Sequence, residues 1–255
     1  MIKSFSDYML ESLTCQPEKR DMRNVLIADK LKVKDFIDSY VGKNDLFDHR
    51  IWAGYNPDLA ICNIEFPCVI KANNAWHKIA FINKQTDIDD KLSDTLNSWL
   101  TYVGPTWEWY YKLIKPGFVI EKRMPDKHCM HRVYCFAGKA FMFFNQYFDI
   151  TNGNLGHVGD TFYYANGDII PVKWENSPRP IIPFDHELLI SWAEKICKFP
   201  DGTPPFLRVD FYLVDGKAYF SEMTMLPDAA SRHRFNPHNL DYELGFEYWK
   251  VITCS

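Results

Sequence analysis

Apolar residues recur at helical spacing in three segments of the chain. The segments cover 29–41, 88–100 and 185–197, and each places its apolar side chains three or four positions apart, on one face of a helix. Gly42 directly follows the first segment, and glycine commonly ends helices. The pattern therefore predicts three amphipathic helices, each with one face turned towards a core.

Strand-like runs occupy much of the remaining sequence. They cover 68–71, 79–82, 118–123, 132–137, 140–145, 206–214 and 217–223. Residues 136–139 and 214–217 contain the glycine turn sequences of antiparallel hairpins, whereas a parallel sheet would need a helix between successive strands. The chain is therefore predicted to have an α+β fold. Residues 152–185 are rich in Gly, Asn and Pro, and we expect them to form a long surface excursion.

The last predicted hairpin turns charged side chains away from the core. In 206–214 the apolar residues share one face, and the two-residue period of a strand puts Arg208 and Asp210 on the other. On the second strand, Glu222 shares its face with Phe220. The geometry of the turn therefore decides whether Glu222 lies on the same face as Asp210 or on the opposite one.

We favour a bulged three-residue turn at 215–217. This turn pairs Asp210 with Glu222 and Arg208 with Thr224, and it also aligns the apolar residues of the other face. A two-residue turn would put the two carboxylates on opposite faces. Carboxylates that face each other repel unless a cation lies between them. A Mg²⁺ site is one interpretation of the pair, and a solvated sheet face with incidental charges is the other.

Composition and charge limit the class of protein. The 255 residues suit one large domain or two small lobes, and 47% hydrophobic with 24% charged residues indicate a globular chain. The formal charge of −4 argues against nucleic-acid binding. The longest uncharged stretch, 95–107, is too short and too polar for membrane insertion. Because the amino terminus lacks a signal-peptide pattern and the seven cysteines are scattered and odd in number, we expect free thiols and a cytoplasmic location.

Three other constellations have structural alternatives. His128 and His131 offer half of a zinc site, but no second pair lies at ligand spacing. Asp87 and Asp89 match the Asp-x-Asp of metal-dependent glycosyltransferases, although capping of the following helix is the stronger interpretation. The aromatic cluster at 107–111 suits a core better than a sugar-stacking platform.

Six ordered segments together resemble the TupA-like branch of ATP-grasp proteins, which is associated with teichuronopeptide and other surface-polysaccharide biosynthesis. They are DKLKVKDFI (29–37), FPCVIKAN (66–73), WEWYYKLIKPGFVIEKRM (107–124), HRVYCFAGKAF (131–141), FLRVDFYLVDGKAYFSEMT (206–224) and FNPHNLDYELG (235–245). The resemblance implies two α+β lobes with mainly antiparallel sheets and an ATP cleft between them. It divides the chain into an extension at 1–28, a first lobe at 29–120 and a second lobe at 121–255.

The resemblance also implies nucleotide contacts. Lys71 corresponds to a strand-end lysine that contacts the α- and β-phosphates, and Lys30 to an upstream lysine near the same phosphates. Residues 121–124 resemble the hinge, where Glu121, Lys122 and Met124 would read the adenine edge through a carboxylate and nearby backbone groups. A basic residue near the phosphates corresponds to Arg132, while Asp126 or His128 as ribose contacts stays open.

The same comparison assigns the charged hairpin to the metal and the chemistry. Asp210 and Glu222 correspond to the family's metal-binding Asp and Glu, Thr224 stands where many ligases have a metal-binding Asn, and Arg208 corresponds to a catalytic Arg. Two departures from the pattern are visible. Residues 73–77 lack the glycine of the usual phosphate loop, and Asp228 follows Pro227 where glycine is common.

These assignments imply an ATP- and Mg²⁺-dependent ligase that joins a small-molecule or glycan carboxylate to an amine through an acyl phosphate. Arg208 and Lys71 would carry the catalysis. Association with other polysaccharide-biosynthesis enzymes is implied as well. An ATP-grasp kinase acting on a sugar or other hydroxyl, and a non-catalytic nucleotide- or glycan-binding member, stay open as alternatives. A glycosyltransferase is the remotest candidate.

Overall fold

The computed structural model describes residues 2–42, 49–62, 64–104, 107–151, 154–174, 186–214, 217–230, 235–236 and 239–254. The chain forms two compact units. We call Asp21–Met124 the small unit, and Met1–Arg20 together with Pro125–Ser255 the large unit. In the part of the chain that the structure describes, no helix is both long and apolar enough to cross a membrane.

In its described residues, the small unit contains four α-helices and a four-stranded antiparallel sheet. The helices are α2 (Arg23–Ala28), α3 (Val33–Val41), α4 (Pro57–Cys62) and α5 (Asp90–Leu100), and the strands are β1 (Arg50–Gly54), β2 (Cys68–Ala72), β3 (Ile79–Ile82) and β4 (Phe118–Lys122). The strand order is β1-β4-β2-β3. Alternate residues of β2 and β4, among them Ile70 and Ile120, form a core with residues of α5 such as Leu96. The intervening residues, which include Lys71 and Glu121, therefore project from the opposite face of the sheet.

The described part of the large unit contains three α-helices and a five-stranded antiparallel sheet. The helices are α1 (Phe5–Thr14), α6 (His186–Ile196) and α7 (Asn239–Cys254). The sheet strands are β5 (Lys127–Phe136), β6 (Lys139–Thr151), β7 (Asn154–Tyr164), β9 (Phe206–Val214) and β10 (Lys217–Thr224), and β8 (Lys173–Trp174) pairs separately with β11 (Phe235–Asn236). The order of the five strands is β10-β9-β5-β6-β7.

Both ends of the chain complete the core of the large unit. The ring of Phe5 in α1 is fully buried and meets Tyr134, Phe206 and Tyr248 at centroid distances of 6.3, 4.8 and 6.1 Å. The fit between α1 and α7 is tight: a Cβ on Gly245 would lie 2.2 Å from the carbonyl oxygen of Lys3. The amino-terminal residues therefore form part of the core of this unit.

The structure confirms the predicted helices and hairpins and changes several boundaries. Two of the helices begin later than the periodicity indicated, at Val33 and at Asp90. The predicted start of the third helix at Asp185 lies outside the described residues, and the described helix begins at His186. Val41 is followed by Gly42 with φ 92°, as expected for a glycine that ends a helix.

The expectation of a surface excursion over 152–185 was wrong for its first part. Residues 154–164 form β7, which pairs with β6 along almost its whole length. The sequence of β7 contains two glycines and few β-branched residues, so its strand conformation comes from this pairing and not from intrinsic propensity. Residues 175–185 lie outside the described part of the chain.

Candidate functional site

A buried ion-pair cluster lies on the face of the small unit's sheet that is opposite to α5. Lys71 ends the apolar run of β2, and its Nζ lies 2.5 Å from Oε2 of Glu121 in β4. His49 precedes β1 and places its Nε2 3.5 Å from Oε1 of the same carboxylate. Because β2 and β1 both pair with β4, Glu121 has Lys71 on one side and His49 on the other.

The charges around Glu121 keep it ionised. Its burial alone would raise the pKa of the carboxyl, but the positive charges of Lys71 and His49 lower the pKa well below its usual range. A carboxylate with two such neighbours holds them in fixed positions. Glu121 therefore orients the ammonium group of Lys71, the predicted phosphate contact.

Lys30 lies at the loop that follows Lys71. Its Nζ donates a hydrogen bond of 2.9 Å to the carbonyl oxygen of Ala75. The loop lacks glycine, but Asn73 anchors it: the side-chain amide donates to Asp29 Oδ1 at 2.8 Å and accepts from the backbone N–H of Gly117 at 2.7 Å. The structure thus brings Lys30 to the predicted phosphate loop, which is held by side-chain amides.

The remaining predicted hinge residues differ in which groups they leave available for adenine. The side chain of Lys122 is exposed and, by strand alternation, projects from the face opposite to Glu121. Its backbone N–H donates to the carbonyl of His49 at 2.8 Å, and the N–H of Arg123 donates to that of Pro67 at 3.2 Å. These donors are thus used within the small unit, so Met124 is the hinge residue left as a predicted backbone contact to adenine.

In the large unit, β9 and β10 pair as predicted, but the irregularity lies elsewhere. Asp210 pairs with Glu222 and Arg208 with Thr224. Val214 pairs with Lys217, so the expected three-residue turn was wrong, although Asp215 and Gly216 themselves lie outside the described residues.

The shift in register comes from a bulge between Phe220 and Glu222. The extra residue, Ser221, lets Phe220 pair with Phe211 in the core while Glu222 lies beside Asp210. The expectation that Phe220 and Glu222 share a face was therefore wrong, because a bulge inverts the alternation of a strand.

The guanidinium group of Arg208 lies at the centre of the resulting cluster. Its Nε and Nη2 donate to the two oxygens of Asp210, both at 2.8 Å. Nη2 also reaches Oε1 of Glu222 at 3.2 Å and Oγ1 of Thr224 at 3.4 Å. Arg208 therefore lies between the two carboxylates and offsets the repulsion expected between them.

Burial governs the electrostatics of this cluster. Asp210 is completely buried, and desolvation raises the pKa of its carboxyl to about 6 in spite of the nearby charges of Arg208 and Arg132. Nε of Arg132 lies 3.6 Å from Oδ2 of Asp210. Burial also raises the pKa of the neighbouring Tyr134 hydroxyl. A further positive or multivalent charge near Asp210 would thus favour its ionised form.

The donor set fits Mg²⁺ in chemical type. Asp210, Glu222 and Thr224 offer hard oxygen atoms on one face of one hairpin, and a carboxylate oxygen that accepts one hydrogen bond retains a second lone pair. In the described residues no three His, Cys, Asp or Glu side chains come together as ligands. Magnesium at this place would therefore take its remaining ligands from substrate oxygens and water.

Among the described residues, Nε of Arg132 and Nη1 of Arg208 are buried guanidinium nitrogens without a hydrogen-bond partner. A buried guanidinium N–H without a partner is costly. It is the kind of donor that an anionic oxygen of a ligand satisfies.

Comparison with known proteins places the chain in a family. A family model described as TupA-like ATPgrasp matches residues 9–249. The chain belongs to the TupA-like ATP-grasp family. No curated protein matches this TupA-like chain.

Solved structures show the same fold at low sequence identity. A D-alanine–D-alanine ligase from Helicobacter pylori is 15% identical with a TM-score of 0.50, covering 89% of this chain and 63% of its own. A biotin carboxylase from Campylobacter jejuni, described as a β,γ-ATP complex, is 16% identical with a TM-score of 0.50, covering 89% of this chain and 46% of its own. An ADP complex of N5-carboxyaminoimidazole ribonucleotide synthetase is 13% identical with a TM-score of 0.50. The match covers 80% of this chain and 46% of that protein. The TupA-like chain therefore has an ATP-grasp fold and spans less than two thirds of the length of these three structures.

Other candidate motifs have structural roles. His128 and His131 are three residues apart in β5 and project from opposite faces, so they cannot share a metal ion. The carboxylate of Asp89 caps α5 by accepting from the N–H of Leu92 at 2.8 Å, which confirms the capping interpretation. Trp109, Tyr110 and Tyr111 are buried as a core cluster would be, whereas Trp107 is exposed.

Sequence reasoning missed His49 and the anchoring role of Asn73. His49 is isolated in the sequence and reaches Glu121 only because β1 pairs with β4. Asn73 lies in the loop that lacks the family's usual glycine. Its buried side chain accepts a hydrogen bond from the N–H of Gly117 and so holds this loop in place. An asparagine after a strand-end lysine was a visible signal, but its partners Asp29 and Gly117 are distant in sequence.

Proposed function

We propose that this TupA-like protein is an ATP-dependent carboxylate–amine ligase that acts through an acyl phosphate. The observation that carries the proposal is the arrangement around Arg208: two carboxylates and a hydroxyl lie on one face of a hairpin, around a buried guanidinium whose Nη1 amino group is left for a ligand oxygen. This donor set can hold a divalent cation and stabilise an anionic oxygen. The family and the fold support the use of ATP.

In this proposal each charged group has a distinct task. Lys71, oriented by Glu121, binds phosphate oxygens of ATP, and Lys30 supports the loop beside it. Asp210 and Glu222, with Thr224, hold Mg²⁺, which neutralises phosphate charge when bound. Arg208 donates to the oxyanion that develops as the acyl group is attacked, and Arg132 contributes positive charge beside Asp210.

The substrates follow from the chemistry of the family and from the ligases of the same fold. We propose that the carboxylate belongs to a surface polysaccharide or its precursor, and that the reaction takes place in the cytoplasm together with other polysaccharide-biosynthesis enzymes. The carboxylate attacks the γ-phosphorus of ATP, and the amine then displaces phosphate from the acyl group. The products are an amide, ADP and phosphate.

A non-catalytic nucleotide-binding role is the second candidate. The bidentate pair between Arg208 and Asp210 favours it, because it satisfies the metal-binding carboxylate without a metal. A kinase that phosphorylates a hydroxyl would use the same nucleotide contacts and differs in its product.

The test is product analysis with Mg-ATP, pooled amino acids, uronic-acid glycans and hydroxylamine as a trap for the acyl phosphate. A ligase releases phosphate and forms a hydroxamate or an amide. A phosphorylated glycan or amino acid would indicate the kinase instead. Binding of Mg-ATP without any turnover would indicate the non-catalytic role.

Matched variants then connect the activity to the cluster. Glu222→Gln and Asp210→Asn should lower turnover at least a hundredfold and abolish the stabilisation of the fold by Mg-ATP, whereas Asp201→Asn, at an exposed position, should do neither. Asp210→Asn should also lower the stability of the ligand-free protein, because it breaks a buried pair. Wild-type turnover in Glu222→Gln would contradict the assignment.

A further inference from the structure

Three aromatic rings and a lysine lie together beside the loop that follows Lys71 in the small unit. The ring centroids of Trp76 and His77 are 4.9 Å apart, and those of His77 and Tyr102 are 5.6 Å apart. Nζ of Lys78 lies 4.9 Å from the centroid of the Tyr102 ring. We call Trp76, His77, Lys78 and Tyr102 the aromatic platform. It joins the β2–β3 hairpin to the segment that follows α5.

The loop that carries the platform is held in place by hydrogen bonds. The side chain of Asn74 donates to the carbonyl oxygen of Tyr102 at 2.8 Å. The next carbonyl along the chain, that of Ala75, accepts from Nζ of Lys30 at 2.9 Å. Asn74 and Ala75 are both almost completely buried. The backbone just before Trp76 is therefore fixed by contacts that do not involve the tryptophan ring.

The ring of Trp76 is not part of a core. Trp76 is 56% exposed, whereas Ala75, directly before it, is buried. His77 is exposed too, and so are Ile79 and Val103, which adjoin the platform in sequence. A single exposed apolar side chain needs no explanation, but clustered exposed rings are typical of binding surfaces. The platform is therefore a candidate site for a ligand.

The chemistry of the platform suits the ring of an acidic sugar. The C–H face of a sugar ring is apolar and packs against aromatic rings, while its hydroxyl groups stay in contact with water. The ammonium group of Lys78 attracts a carboxylate and repels a cationic ligand. Among the described residues no carboxylate forms a salt bridge with Lys78. Its charge is therefore available to a carboxylate of the ligand.

We propose that the aromatic platform binds a sugar ring next to the one that reacts, and that Lys78 pairs with the carboxylate of this bound ring. The inference rests on the proposed ligase function, in which the reacting carboxylate belongs to a polysaccharide or its precursor. Such a substrate extends beyond the reacting group, and binding of its remote rings helps to hold that group in position. Trp76 follows Lys71 by five residues. At most about 18 Å of chain therefore separates them, which a short oligosaccharide can span.

Binding of oligosaccharides without ATP tests the platform separately from catalysis. The probes are tetrasaccharides of glucuronic acid and of galacturonic acid, each paired with the same tetrasaccharide after reduction of its carboxyl groups to alcohols. In isothermal titration, Trp76→Ala should weaken the binding of the acidic probe at least tenfold, and Trp76→Phe should retain most of the wild-type affinity. Lys78→Gln should weaken binding of the acidic probe and leave binding of the reduced probe unchanged.

Matched measurements show whether the effect belongs to the platform. Trp107→Ala removes another tryptophan of the same unit, which is 58% exposed, and should keep the wild-type affinity for the probes. Trp76→Ala should keep the wild-type melting temperature, because its ring fills no core. It should also keep the wild-type affinity for Mg-ATP, because the platform binds the glycan and not the nucleotide.

Several outcomes would overturn the inference. They are wild-type affinity of Trp76→Ala for the probes, an equal loss of affinity in Trp107→Ala, and no binding of any probe by the wild type at millimolar concentration. Weaker binding of Mg-ATP by Trp76→Ala would assign the ring to the nucleotide and overturn it as well.

The failure of this inference and that of the ligase function are distinguishable. If the probes bind as expected but product analysis yields neither amide nor hydroxamate, the ligase function fails and the platform stands as a glycan site. If the protein forms an amide from a glycan and Trp76→Ala keeps the wild-type KM for that glycan, the ligase function stands and the role of the platform fails.

Discussion

At the scale of the residue, Glu121 is the best example of a side chain whose role depends on its neighbours. One of its carboxylate oxygens lies 2.5 Å from Nζ of Lys71, and the other lies 3.5 Å from Nε2 of His49. The sequence interpretation made it a reader of adenine. The geometry favours a role in positioning Lys71, and the two roles differ in what they predict for base selectivity.

We expect Glu121→Gln to weaken the binding of Mg-ATP and Mg-GTP alike, roughly tenfold, or about 1.4 kcal/mol. The reason is that Lys71 loses its charged partner and its fixed position, while the contact to the base is unchanged. Isothermal titration with each nucleotide measures this effect, with the exposed Lys122→Gln as the control. A loss confined to ATP would restore the adenine-reading role.

His131 makes the stability of the large unit depend on pH. It is buried, its Nδ1 donates to Asn145 Oδ1 at 2.7 Å, and burial lowers its pKa to about 4. The unfolded chain binds a proton at this residue near pH 6.5 and the folded chain only near pH 4, so the residue costs stability as pH falls between these values. Asp210, with its raised pKa, acts in the opposite direction between about pH 4 and 6.

A comparison with His131→Gln separates the pH dependence of stability due to His131 from that due to Asp210. Between pH 7 and pH 5, the wild type should lose about 2 kcal/mol more stability than His131→Gln, which has no titrating group at this position. Urea unfolding at the two pH values measures the difference. Parallel losses in the two proteins would show that His131 titrates normally in the folded state.

At the scale of the element, the contact between α1 and α7 depends on Gly245. The carboxylate of Asp241, one turn earlier in α7, accepts from the N–H and the hydroxyl of Ser6 at 3.1 and 3.0 Å, near the amino terminus of α1. A Cβ on Gly245 would meet three backbone atoms of 3–5 within 3 Å. These backbone atoms cannot move aside as a flexible side chain would.

Gly245→Ala should therefore destabilise the protein by at least about 2 kcal/mol, although alanine is the better helix former. Chemical denaturation measures the change. Tyr242→Ala, on the exposed face of the same helix, should cost much less. Unchanged stability of the Gly245 variant would mean that α1 and α7 can separate without loss of packing.

The elements also show which local signals are reliable. The helix α5 and the β5–β6 hairpin combine strong periodicity with a cap or a turn sequence, and both were predicted. The helix α7 was missed because it has apolar residues on both faces: Leu240 and Leu244 are buried, while Phe246 and Trp249 are exposed. Such a helix lacks the polar face on which an amphipathic pattern depends.

At the scale of the whole molecule, the large unit is discontinuous in sequence, because residues 1–20 belong to it together with 125–255. The sequence interpretation treated 1–28 as an extension. Phe5 is completely buried among aromatic rings of β5, β9 and α7. Substitution of a buried residue near the amino terminus should therefore destabilise the large unit.

We expect Phe5→Ala to lower stability by about 3–5 kcal/mol, because it leaves a cavity in an aromatic core. Hydrogen exchange followed by mass spectrometry should show faster exchange in peptides from 125–255 and unchanged exchange in peptides from 21–124. Leu10→Ala, on the exposed side of α1, is the control. Faster exchange in 21–124 would mean that the two units do not open independently.

By itself the sequence determined the α+β class and the positions of Lys71, Arg208, Asp210 and Glu222 on strands. These features follow from local periodicity and from the ordered family motifs, which depend on residues close together in the chain. They needed no knowledge of distant contacts.

The tertiary structure alone decided the bulge at Ser221, the placement of Arg208 between the two carboxylates, the ion pair of Lys71 with Glu121, and the strand conformation of β7. Each of these depends on strands that pair across long separations in sequence, or on how deeply a group is buried. The electrostatics of Asp210 and Glu121 differ for the same reason: both are buried carboxylates near positive charges, yet the pKa of one is raised and that of the other is lowered. The balance between desolvation and neighbouring charge is a property of three-dimensional position.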